Sequence, residues 1–236
     1  MNAQHIIGQI SDTILHGDFC EASENLDSNN SCTDDISDLI SVSIENDVPA
    51  PLISTEALDK SMLEIIDRFK NDDVMFMEMI ARANLTGEAR DTLADHVEDP
   101  EPLSKGTMLL AAVEGEYHRH GKDIISSLSR GIGFNTIDLG TGVPIEDILD
   151  AVDEHRPEYV GISASTRATI PELKEITDKI SADRALVNTK VILGGFLAGD
   201  DAADDLGADY LCPNIDQSID LLVTLANSSN CPSSAS

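Results

Sequence analysis

Lysine and arginine are scarce in this chain: 15 of its 236 residues, against 44 aspartates and glutamates, for a formal charge of -29 and a pI near 4.2. A field of that sign repels phosphate, which excludes non-specific binding to nucleic acid or to an anionic membrane. The acid is spread along the chain and not gathered in a tail, so it reads as surface solvation of a kind suited to high salt. Cysteine is scarce as well. Cys20, Cys32, Cys212 and Cys231 form no CxxC pair and read as free thiols in a reducing cytoplasm. No N-terminal apolar run is long enough for a signal peptide or a membrane span. Phosphate-cradling glycine motifs are missing, both GxxxxGK followed by Ser or Thr and GxGxxG after the first strand. A GxSxG nucleophile elbow is missing too, since Gly161-Ile162-Ser163 is followed by Ala164-Ser165, and the strand ends lack the acidic cluster of a response regulator.

What is present falls into two halves with different periods. From Gln4 to about Val97 apolar residues recur at helical spacing, as in Ile6, Ile10 and Ile14, or Leu58, Met62, Ile65, Ile66 and Phe69. Gly17-Asp18, the polar cluster Ser28 to Ser31, Pro49-Ala50-Pro51 and Asn71-Asp72-Asp73 break this half into four main helices, which short loops would pack as a bundle. A polar, proline-bearing stretch at 98–105 reads as a linker. Beyond it the runs "TMLLAAVEG", "NTIDLG", "YVGISAS", "KVILGG" and "DYLCPN" are short and apolar, and each is followed by helical periodicity: Asp123 to Ser129, Pro144 to Glu154, Pro171 to Ala182, Asp200 to Leu206 and Asp216 to Ala226. Five βα units predict a parallel sheet with helices on both faces, in the flavodoxin-like (Rossmann-like) strand order 2-1-3-4-5. The expected organisation is therefore a helical bundle at 1–97, the linker, an α/β domain at 106–228 and a disordered tail at 229–236.

In that strand order, strands 1 and 3 adjoin at the switch point, where ligands bind outside the carboxyl ends. The loop after strand 1 carries Glu116, His118, His120 and Gly121; strand 3 ends at Ser163 and strand 4 at Gly194-Gly195. These clusters converge on one crevice. An imidazole with a carboxylate two residues before it has a fixed tautomer and a more basic free nitrogen, a pairing suited to a metal. A zinc site built on His118 and His120 lacks further ligands at a recognisable spacing. Glycines 194 and 195 either admit a bulky, flat-sided group or make a tight strand-to-helix turn.

Glu116-x-His118-x-x-Gly121, the strand-end Ser163 and Gly194-Gly195, at these separations, resemble the cobalamin-binding domain of methionine synthase and the small corrinoid proteins of methyltransferase systems. The helical half is similar to the same family's cap domain, with "MLEIIDRFKNDDVMFMEMIARAN" resembling its third and fourth helices, and the similarity runs from about residue 4 to 226. The resemblance implies a cobalamin or related corrinoid whose cobalt takes His118 as lower axial ligand, with Gly121 in the same motif. It implies that Ser163 hydrogen-bonds the base of the cofactor's tail, that Gly194 and Gly195 clear space for that tail, and that Thr169 completes a relay through Glu116 to the histidine. Phe69 and Met77 would shield the upper face of the corrin, or else be ordinary bundle core. Two positions depart from the family: Glu116 stands where Asp is usual, and Ser165 stands where the family's Ser-x-Leu has Leu, at a position that contacts the base. Arg167 is also unexpected there.

The function implied is that of a methyl carrier, not a complete enzyme alone. Its partners would be a substrate-specific methyltransferase, an acceptor methyltransferase acting on coenzyme M or a tetrahydropterin, and a reductive activation protein. A cobalamin-dependent sensor, and a homologue that keeps the fold without binding cobalamin, stand as alternatives.

Overall fold

The computed structural model describes residues 3–17, 30–98, 103–195 and 205–228, with 30–34 described in backbone only. Two compact units divide the chain: Met1–Ser104 with Arg130–Gly133, and Lys105–Ser129 with Phe134–Ser236. Of the expected linker, residues 99–102 lie outside the described residues, as does the whole of the expected tail 229–236.

The first unit is helical: α1 (Ala3–His16), α2 (Asn30–Glu45), α3 (Ala50–Ile53), α4 (Lys60–Lys70) and α5 (Phe76–Asp95). The isoleucine stripe at 6, 10 and 14 is fully buried and meets Ile36 and Ile40 of α2 and Ala89 and Leu93 of α5 in one core. A π-helical segment, Ser54–Asp59, joins α3 to α4. Residues five apart align on one face of a π-helix. Ser54 and Asp59 accordingly both turn to Arg90, which donates to the Ser54 hydroxyl at 3.2 Å and to Asp59 Oδ1 at 2.5 Å. Asp72, at φ 61°, takes the left-handed turn that separates α4 from α5.

The second unit is the expected α/β sandwich: β1 (Thr107–Ala112), α6 (His120–Ile132), β2 (Asn135–Asp138), α7 (Ile145–His155), β3 (Tyr159–Ser163), α8 (Ile170–Ala182), β4 (Lys190–Gly194), β5 (Tyr210–Cys212) and α9 (Ile215–Ser228). All strands are parallel in the order β2-β1-β3-β4-β5, so the switch point lies between β1 and β3. Of the helix expected at Asp200 to Leu206, residues 200–204 lie outside the described residues; Leu206 is buried.

Strand side chains alternate between faces. Leu109, Ala111, Val160, Ile162, Val191 and Leu193 pack against Ile148 and Val152 of α7 and Leu173 and Ile176 of α8. Met108, Leu110, Gly161, Ser163, Ile192 and Gly194 have the opposite parity and face α6 and α9.

Candidate cofactor site

The register sets Ala112 beside Ser163, Ser163 beside Gly194 and Gly194 beside Cys212. Four strands thus end in one row, and the predicted residues Ser163 and Gly194 are adjacent in it. Between that end of the sheet and helices α6 and α9 lies a cavity of about 160 Å³, with Leu110, Gly161, Ser163 and Ile192 on the sheet side, Gly121 and Ile125 from α6, and Leu222 from α9.

Two of its glycines have no packing reason to be glycine. A Cβ on Gly121 would meet nothing within 4 Å, and one on Gly194 would meet only the Ile162 carbonyl oxygen at 3.9 Å, so both would grow into free space. Gly195 is different: at φ +97° its Cβ would stand 2.7 Å from the Ala164 carbonyl oxygen, so backbone conformation alone requires glycine. Of the two readings of the pair, space for a ligand fits Gly194 and the tight turn fits Gly195.

The loop after β1 is fastened to its neighbours before it reaches the histidine. Val113 bridges to Val143, the Val143 N–H donates to the Ala112 carbonyl at 2.9 Å, and the Gly142 N–H donates to the Glu116 carbonyl at 3.1 Å. At its far end Lys122, in the first turn of α6 and 4% exposed in its side chain, donates to both carboxylate oxygens of Asp138 at 2.6 Å and to Asp123 at 3.0 Å. Nothing in the sequence spacing signals that ion pair, which ties α6 to the end of β2.

Within the loop Glu116 is 2% exposed. Its Oε1 accepts the His118 backbone N–H at 2.9 Å and His118 Nδ1 at 2.7 Å. A carboxylate on Nδ1 fixes the proton there and leaves the Nε2 lone pair free, on an imidazole whose side chain is 86% exposed. The extra methylene of Glu relative to Asp is accommodated because the side chain curls back over two residues to the imidazole. Burial is the largest single influence on the Glu116 carboxyl and pushes it up. The His118 N–H, the Ser165 hydroxyl and the His118 ring together outweigh it and hold the group below the usual carboxylate range. Glu116 Oε2 is buried without a hydrogen-bond partner among the described residues.

The other predicted residues are placed as follows. Thr169 is buried, but its hydroxyl donates to the Thr166 carbonyl at 2.8 Å, a local back-bond in the turn Arg167–Thr169, and no hydrogen bond joins it to Glu116 among the described residues. The hydroxyl that stands by Glu116 is that of Ser165. His120 is exposed at the start of α6, and among the described residues no group of three His, Cys, Asp or Glu side chains is placed to hold a metal ion. Cys212, which the sequence offered only as a free thiol, is buried in the cavity wall, where burial pushes its thiol up. Phe69 and Met77 belong to the helical unit, on either side of the turn between α4 and α5. Phe69 is half-buried with its ring 5.8 Å from that of Phe76, and Met77 is 71% exposed, which rules out bundle core for Met77.

A histidine held by a buried carboxylate at a switch point, beside a cavity with two glycines that serve no packing need, offers one exposed nitrogen donor in an α/β domain. Residues 106–213 match the B12 binding domain family. The chain is 27% identical over 163 residues to trimethylamine corrinoid protein 1 of Methanosarcina acetivorans, which covers 68% of this chain and 75% of that protein. It is 26% identical over 172 residues to dimethylamine corrinoid protein 1 of the same organism, at 72% and 80% coverage. Its fold is shared with a cobalamin-binding protein from Desulfitobacterium hafniense (TM-score 0.61, 22% identity, 95% and 98% coverage). It is also shared with a chain of the methanol:cobalamin methyltransferase complex MtaBC from Methanosarcina barkeri (TM-score 0.74, 22% identity, 94% and 80% coverage). The α/β unit is a B12 binding domain, and the chain is a homologue of the corrinoid proteins. The residues present fit the group: an open Nε2 with its other nitrogen held, and a cradle at Gly121 and Gly194 that a Cβ would fill.

Proposed function

We propose that this protein is a corrinoid carrier, which holds a methyl group on a bound cofactor between one methyltransferase that loads it and a second that unloads it. The observation that carries the reading is the Glu116–His118 pair, aimed outward with Nε2 free, beside the glycine-lined cavity of a B12 binding domain. The chemistry supplied by a bound corrinoid is a cobalt able to accept a methyl group and to release it. The chain's own part is ligation and presentation. His118 offers Nε2 to the metal. Glu116 keeps the proton on Nδ1 and so keeps Nε2 available as a donor.

Ser163, on the cavity face of β3, reads the base of the cofactor's tail, and Gly121 and Gly194 leave the tail room. Ser165 supplies the hydroxyl beside Glu116, while Phe69 and Met77 shield the bound methyl group. The names of the relatives, which carry trimethylamine, dimethylamine and methanol, support small methylated compounds as the source of the methyl group. The partners are then a substrate methyltransferase, an acceptor methyltransferase acting on coenzyme M or a tetrahydropterin, and a reductive activation protein. Among the described residues no helix is long and apolar enough to cross a membrane, and the proposed setting is the cytoplasm. The longer carboxylate of Glu116 does reach the imidazole.

The test is reconstitution with hydroxocobalamin. About one corrinoid per chain should survive gel filtration and accept a methyl group from a cognate methyltransferase; a colourless protein would refute the reading.

A further inference from the structure

Between Glu116 and His118 stands Tyr117, which neither the motif nor the sheet topology assigns to anything. Its side chain is 71% exposed, unusual for so large a ring in a well-packed unit. The ring is nevertheless not free. A Cβ on Gly142 would lie 2.8 Å from its Cε1 and 3.4 Å from its Cδ1, so the ring rests directly on the backbone of the loop between β2 and α7. Gly142 is at φ +66°, and its N–H donates to the Glu116 carbonyl at 3.1 Å, so the support and the residue before the tyrosine move as one. The ring is held at Cε1 and Cδ1 against Gly142 and is otherwise largely open to solvent, in the residue before an imidazole that is itself 86% exposed. A rigidly held aromatic exposes apolar surface at little further entropic cost when a ligand covers it.

We infer that Tyr117 is a cofactor-binding residue: its ring is a seat for the flat macrocycle that His118 ligates, and it closes the Glu116–His118 pair off from water. This rests on the carrier reading. A planar macrocycle joined to Nε2 turns one face to the protein surface around the imidazole, and the residue next in the chain presents the largest apolar area there. Covering it removes water from beside the Nδ1–Oε1 hydrogen bond, which a lower local dielectric strengthens. Neighbouring exposed groups on the loop, Glu114, Arg119 and His120, are polar and offer no comparable surface.

The chain has three tyrosines, which makes the test specific. Tyr159 and Tyr210 are the first residues of β3 and β5, outside the loop after β1, and serve as internal controls. The full-length protein is nitrated with tetranitromethane with and without bound hydroxocobalamin, and the sites are read by peptide mass spectrometry. Nitration of Tyr117 should slow about tenfold or more in the loaded protein, while Tyr159 and Tyr210 react as before. The Kd for hydroxocobalamin should rise about tenfold in Tyr117→Ala and stay within about twofold in Tyr117→Phe, the scale of one well-placed aromatic contact. If one corrinoid binds per chain but Tyr117 is nitrated at the unloaded rate and Tyr117→Ala binds as tightly as the parent, the inference is wrong and the carrier reading stands. If the parent binds no corrinoid, the carrier reading fails first.

Discussion

A single oxygen of Glu116, Oε1, accepts both the backbone N–H and the ring Nδ1 of His118, at 2.9 and 2.7 Å. The carboxylate therefore fixes the loop's backbone and the imidazole's tautomer together. Removing its charge should affect both.

Glu116→Gln keeps an acceptor but loses the charge, and a buried hydrogen bond to a charged group is worth about 1.5–3 kcal/mol. The carboxyl is held below its ordinary range in the folded protein, so its contribution is present above the unfolded value and is lost as pH falls through the folded one. Urea denaturation of the cofactor-free proteins should show the variant less stable by about that amount at pH 7. The gap should close as pH drops below the usual carboxylate range.

Gly194 and Gly195 should separate by assay. Gly194→Ala should leave stability within about 0.5 kcal/mol and weaken corrinoid binding, because its Cβ enters the cavity. Gly195→Ala should cost about 1–3 kcal/mol of stability from strain at positive φ, with a backbone oxygen 2.7 Å away. Thermal denaturation and a corrinoid titration, run on both variants, check the pair.

The sequence pattern carried the parallel sheet, because strand and helix periods alternate cleanly from Thr107 onward, and its order is the common one for five such units. It also carried the Glu116, His118 and Gly121 cluster, because that cluster sits where one period gives way to the other. It left the Gly194-Gly195 pair undivided, since only φ and the distance to Ala164 distinguish a cradle from a turn. Lys122 with Asp138, and Tyr117 with Gly142, were illegible for the same reason: each pair joins segments 16 or more residues apart, and nothing in either segment's periodicity encodes the meeting. The π-helical turn at Ser54–Asp59 is likewise set by its distant partner, Arg90. Thr169 shows the opposite failure, where a hydroxyl at the family's spacing is satisfied locally by Thr166.

Lys122→Met should strand Asp138, which keeps partial solvent access at 29% exposure, and so cost about 2 kcal/mol, less than a fully buried pair. Hydrogen exchange should quicken in the loop 114–121 more than in β3 or β4. Uniform exchange across the unit would show that the pair does not anchor the loop.

Met77→Ala should leave stability within about 0.5 kcal/mol, since the side chain is 71% exposed. Light should then strip the cofactor-bound methyl group faster than in the parent if Met77 shields it. Equal photolysis rates would remove Met77 from the shield.

The most direct test of the account is the cobalt spectrum of His118→Ala, recorded beside the parent across the pH range. With Nε2 of His118 as the lower ligand, the parent should pass through a histidine-on to histidine-off transition as pH falls. The variant should retain corrinoid through the tail cavity and show no transition at any pH. Identical spectra for the two proteins would mean that His118 is not a ligand, and the site described here would not be the cofactor's.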